Sequence, residues 1–99
     1  MEINFFSFFS RMVVLTTTNY KLWHKNVKSQ LLSYRSNIWR VVCEGCGKHP
    51  ISDKVLQQDA QARCIMYKNL HDDDMKRLVG LKCAKDMWDK LESIFGDNS

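Results

Sequence analysis

The sequence predicts an all-α fold, a compact bundle of about five helices, on three observations. One proline and four glycines in 99 residues leave little of the punctuation that a many-turned β fold needs. Apolar residues recur at three- and four-residue spacing along most of the chain. Each of the three tryptophans sits inside a helical phrase, at Trp23, Trp39 and Trp88, where a large indole serves first as a core anchor.

Residues 1–12 stand apart as a Phe-rich leader built on Phe5-Phe6-Ser7-Phe8-Phe9. They read as an ill-ordered lead-in, a short strand or a docked helix. The first confident helix starts near Thr18 or Asn19, where Thr16, Thr17, Thr18 and Asn19 offer capping oxygens. Tyr20, Trp23, Val27, Leu31 and Tyr34 then fall within an arc of about 80° at helical pitch and form a core stripe. Lys21, Lys25, Lys28 and Arg35 share the adjoining arc, and no acidic residue lies between Thr18 and Ser36.

A short second helix is expected from Asn37 to Glu44, capped by Ser36 or Asn37 and stopped by a left-handed Gly45. The third should begin at Ser52 or Asp53 and run to about Leu70. Leu56, Ala60 and Tyr67 share one face with Arg63, extended by Val55, Ala62, Met66 and Leu70, while Ile65 lies opposite. Apolar residues on two sides imply a central helix with several neighbours. Asp72, Asp73 and Asp74 open a fourth helix with Met75, Leu78 and Val79, their charges complementing the helix dipole, and Gly80 ends it. The fifth runs from Ala84 to Phe95 with a stripe of Ala84, Met87, Trp88, Leu91, Ile94 and Phe95. Asp86 and Lys90 make a supporting pair, and Gly96 is the stop. Residues 13–96 are thus one helical domain and 97–99 a tail.

Charge is unevenly placed. Residues 1–50 carry seven Lys/Arg against two Glu, and residues 51–99 carry eight against nine acids. A basic half permits an anionic partner, and the flank Lys21, Lys25, Lys28 and Arg35 is the candidate for weak RNA contact. Tyr20, Trp23 and Tyr34 are assigned to the core stripe and so withheld from base stacking. No secretory signal or membrane-length run is present, which implies an intracellular, cytoplasmic setting with free thiols.

The chemistry-bearing groups are few. Cys43, Cys46 and His49 read C-x2-C-x2-H, three ligand types for zinc without the fourth of a closed site. Cys43 is better read as a small buried hydrophobe and the rest as loop. The Asp72–Asp74 run points in three directions on a helix and makes a poor chelate. His24, His49 and His71 sit in no catalytic signature, and no nucleotide-binding or nucleophile motif occurs. The reading is a non-enzymatic protein with no cofactor, metal or small-molecule substrate. Its core anchors are Tyr20, Trp23, Val27, Leu31, Trp39, Ala62, Met66, Leu70, Trp88 and Leu91.

Four phrases in order carry a resemblance over about residues 13–96. Leu15 with Asn19-Tyr20-x-x-Trp23 comes first, then Ile38-Trp39-x-Val41-Val42-x-Glu44-Gly45. Asp59-Ala60-x-Ala62 follows, leading to Ile65 and Asn69-Leu70. The last is Cys83-Ala84-Lys85-Asp86-Met87-Trp88-Asp89-Lys90-Leu91-Glu92 with Ile94-Phe95-Gly96. Together they resemble the opening of copia-type LTR-retrotransposon Gag polypeptides. The resemblance implies an all-helical domain like the N-terminal part of a capsid, in a structural protein that self-associates and packages the element's RNA. The sequence departs from that pattern in three places. Cys83 stands where the family often has Thr or Ser, which with Asp86 would complete a capping box, so the last helix should start weakly. Val55 or Leu56 stands where another tryptophan is usual, and the Phe-rich leader is atypical. The departures and the chain's end at Ser99 imply a truncated or degenerate copy.

Overall fold

A computed structural model describes residues 13–34, 38–45 and 52–96. Five helices lie among the described residues: α1 (Tyr20–Leu32), α2 (Ile38–Glu44), α3 (Asp53–Lys68), α4 (Asp72–Arg77) and α5 (Ala84–Phe95). No strand occurs among the described residues. The leader, Arg35 and the Cys46–His49 loop lie outside them.

The helices begin and end for identifiable reasons. Ser52 caps α3 as anticipated, its side chain accepting a 3.2 Å hydrogen bond from the Val55 N–H. Asn19 occupies the cap position of α1 but leaves its side chain to the loop before it. Its Oδ1 accepts from the Thr16 N–H at 2.7 Å and its Nδ2 donates to the Val14 carbonyl at 2.9 Å. The threonines therefore organise a turn, and the cap expected from them is absent. Gly45 stops α2 with φ +84°, a conformation open to glycine and costly for most other residues. Gly96 follows the last residue of α5 but is not a left-handed stop: its φ of −60° is right-handed.

One core joins α1, α2, α3 and α5. Helices α2 and α3 pack on each other and each contacts α1 and α5, so both are central. Trp23, Val27, Leu31, Ile38, Met66, Leu78, Met87 and Leu91 are fully enclosed. Tyr20, Ala62, Leu70 and Trp88 are also buried, whereas Trp39 is half-buried and packs against the core from its edge.

Three expected core positions face solvent. Tyr34 lies past the end of α1, because Ser33 terminates that helix with its hydroxyl donating to the Gln30 carbonyl at 2.6 Å. The helical period that placed Tyr34 in the stripe no longer applies there. Leu56 is exposed because α3 buries the side bearing Gln58, Asp59, Ala62, Ile65 and Met66. Val79 is 80% exposed, since α4 ends at Arg77 and only Leu78 turns inward. On α5 the pair that forms is Lys85–Asp89 at 2.6 Å, in place of Asp86–Lys90.

Candidate functional site

Helix α1 has one face in the core and one in solvent, and the candidate contact residues divide between them. Lys21 and Lys25 are exposed. Lys28 is half-buried, with its ammonium 5.1 Å from the centroid of the Trp39 ring. A cation over an indole face is attracted by the ring quadrupole, so Lys28 helps to cover the open edge of Trp39. Two of the four basic residues are thus exposed, one is committed to the fold, and Arg35 falls outside the described residues.

The three indoles form one cluster with Trp88 at its centre. Trp23 stacks on it at 5.5 Å with a 29° interplanar angle, and Trp39 meets it edge-on at 5.3 Å and 80°. Both are geometries that aromatic quadrupoles favour. Tyr20 stacks on Trp23 at 6.0 Å, and His24 lies 4.9 Å from Trp88 and 5.7 Å from Tyr20. Burial and the neighbouring Lys28 charge hold the His24 imidazole below its usual pKa, against a smaller opposing pull from Glu92. Burial, with the Glu92 and Asp89 carboxylates nearby, pushes the Tyr20 hydroxyl up to about 12.

Two buried polar residues not singled out as anchors bond into the core around this cluster. The Asn69 backbone carbonyl accepts the Trp23 indole N–H at 2.8 Å and the Leu15 N–H at 3.0 Å. The Asn69 side chain donates back to the Ile65 carbonyl at 2.7 Å. Asp59, 2% exposed, accepts the Ala84 N–H at 2.7 Å through one oxygen and the Arg63 Nε–H at 2.8 Å through the other. The sequence signal for both was their place in the Asp59-Ala60-x-Ala62 and Asn69-Leu70 phrases, where a polar residue at core spacing needs a partner.

The cysteines do not converge. Cys43 is exposed, contrary to the buried role expected of it, because Ile38, Val41 and Val42 take the core side of α2. Cys64 is exposed, Cys83 is partly exposed and all three thiols are free. Among the described residues no group of three His, Cys, Asp or Glu side chains gathers as a metal site, and Cys46 and His49 lie outside them. The three aspartates form the first turn of α4, where Asp73 approaches Lys76 at 3.9 Å in full solvent. Beside them a surface hollow is lined by Tyr67, Asp72, Met75, Lys76 and Val79. No helix among the described residues is long and apolar enough to cross a membrane.

Comparison with known protein families gives a match. The family described as gag-polypeptide of LTR copia-type matches residues 16–99. No curated protein and no solved structure matches the chain.

Proposed function

The chain belongs to the copia-type LTR gag-polypeptide family, and from that membership we propose that it is a structural, non-catalytic module that works by associating with copies of itself. The family match across nearly all of the helical region carries this reading. The way the polar groups are used supports it. The Trp23 indole N–H, the Asp59 carboxylate and the Asn69 side-chain N–H all spend their hydrogen bonds inside the fold. What the surface offers instead is exposed apolar side chains, with Leu22, Leu32, Leu56 and Val79 among them. Sedimentation velocity over a wide concentration range tests the reading. A sedimentation coefficient that rises with concentration is expected, and a protein that stays strictly monomeric at high concentration would overturn it.

A second reading, weak RNA contact from α1, is favoured by one observation. Lys21 and Lys25 are exposed on a helix with no acidic residue, and the exposed Tyr34 follows it. A solvent-facing ring near cations suits single-stranded RNA, where bases stack on aromatics and phosphates pair with lysine. Lys21→Glu/Lys25→Glu should abolish low-salt binding in a fluorescence-anisotropy titration with single-stranded RNA. Binding that survives the reversal sinks this reading. Lys28 is left intact in that variant because it also covers Trp39.

A further inference from the structure

Two partly exposed rows, on different helices, match in length, and the helix beside the second row opens on acids where the first helix carries lysines. On α1, Leu22, Lys25, Ser29 and Leu32 follow one another at three-, four- and three-residue steps, the spacing of a helix-pairing seam. Both leucines are more than half exposed. They lie ten residues apart, about 15 Å along the axis. On α3, Leu56, Ala60, Arg63 and Tyr67 form a second row at four-, three- and four-residue steps. Its ends are eleven residues apart, about 16 Å. The Tyr67 end opens into the hollow whose other apolar walls are Met75 and Val79.

The charges fit the same pairing. Helix α1 carries lysines and no acid. The hollow is bordered by Asp72, with Asp73 and Asp74 in the same turn. Of the cations in that region (Arg63, Lys68, Lys76 and Arg77), Arg63 is held by Asp59 at 2.8 Å, and Lys76 is 3.9 Å from Asp73. An α1–α1 pairing, by contrast, would bring like charges together.

We propose that the α1 row of one copy packs along the α3 row and the adjoining hollow of a second copy. One leucine seats against Tyr67, Met75 and Val79, the other meets Leu56, and the α1 lysines face the α4 aspartates. The contact is heterologous, so each copy keeps one free surface of each kind and the association extends to rings or filaments. This rests on the self-association reading and names its surfaces.

The test uses two variants of the full chain. Leu22→Gln/Leu32→Gln spoils only the first surface, and Leu56→Gln/Val79→Lys only the second. All four positions are exposed, and unchanged helical circular dichroism checks the fold. Each variant alone should associate at least about tenfold more weakly than wild type in sedimentation velocity, a loss of about 1.4 kcal/mol or more. Mixed, they should form a one-to-one heterodimer through the surfaces each retains, and stop there. A wild type that stays monomeric would overturn the self-association reading itself. Wild-type association with either variant unimpaired, or no heterodimer on mixing, would overturn the assignment of surfaces alone.

Discussion

Asp59 on α3 caps α5. Its Oδ1 accepts the backbone N–H of Ala84, the first residue of that helix, across 25 positions of sequence at 2.7 Å. A helix start leaves its first N–H groups without intrahelical partners, and a buried one must find an acceptor elsewhere. Cys83, at the cap position, makes no side-chain hydrogen bond to the helix. The acceptor therefore comes from a neighbouring helix, and it locks the two together while Arg63 holds the second carboxylate oxygen.

Asp59→Ala should accordingly destabilise the fold by about 2–3 kcal/mol, since it strands a buried N–H and removes the Arg63 partner. Asp59→Asn keeps an oxygen for Ala84 and should lose about half as much. Urea unfolding followed by circular dichroism measures both. Equal losses would mean that the charge on Arg63, and not the cap, dominates.

The cap position itself has room for improvement. Cys83 has φ −136° and ψ 159°, the extended geometry of a good cap residue, and Asp59 serves only the first N–H. Cys83→Ser would supply an acceptor for the second or third N–H, with Asp86 three positions on to complete a capping box. A gain of about 0.5–1 kcal/mol is expected in the same urea measurement. A loss would show that the sulfur contributes packing that the hydroxyl cannot replace.

These two residues show what was legible in the sequence and what was not. The five helices followed from local rules, because amphipathic spacing and caps such as Ser52 act within one turn. The family followed from the order of the phrases. Cys83 was correctly read as a poor cap, yet the remedy at Asp59 could not be seen, because it depends on how α3 and α5 cross. The same limit explains Tyr34 and Leu56. Periodicity ranks the faces of a helix, but where α1 stops and which side of α3 meets its neighbours are set by packing. Polar Asp59 and Gln58 took core places that an apolar count gave to Leu56. At the candidate surface, the lysines were visible as a charge pattern, while the loss of Lys28 to Trp39 required the fold.

Trp23 joins three parts of the chain through one acceptor, the Asn69 carbonyl, which also receives the Leu15 N–H. Trp23→Phe removes the indole donor and opens space beside Trp88 at a fully enclosed site. A cost of about 2–3 kcal/mol is expected from the lost hydrogen bond and the cavity together. Thermal unfolding should show it as a clearly lowered midpoint. A change within the error of the scan would mean that the cluster repacks without strain.

Stability should fall on both sides of neutrality for two different residues. The folded state holds His24 below its ordinary pKa of 6.5, so the unfolded chain binds the proton more readily. Stability is then full above 6.5 and declines as pH falls through the depressed folded value. Tyr20 behaves oppositely: its hydroxyl moves from 10.0 to about 12, so the fold favours the protonated form. That contribution is complete below pH 10 and is lost between pH 10 and 12. Urea midpoints across pH should trace both limbs. His24→Gln should flatten the acid limb and Tyr20→Phe the alkaline one, and a limb that survives its own substitution belongs to another group.

The two left-handed glycines should respond differently to alanine. Gly45, at φ +84°, ends α2, and a Cβ there would stand 3.2 Å from the Lys85 Cδ on α5. Gly80, at φ +99°, ends the α4 turn with no heavy atom within 4 Å of the same added carbon. Both substitutions incur backbone strain of about 1–2 kcal/mol. Gly45→Ala additionally presses on the side chain that forms the 2.6 Å pair with Asp89. Lys85 is flexible at that point, so the extra cost should be small, about 0.5 kcal/mol. Removing it by Lys85→Ala in the Gly45→Ala background should bring the two glycine sites to the same penalty in urea unfolding. A larger residual cost at Gly45 would place the strain in the α2 backbone itself, where the Gly45 N–H donates to the Val41 carbonyl at 2.8 Å and fixes the turn.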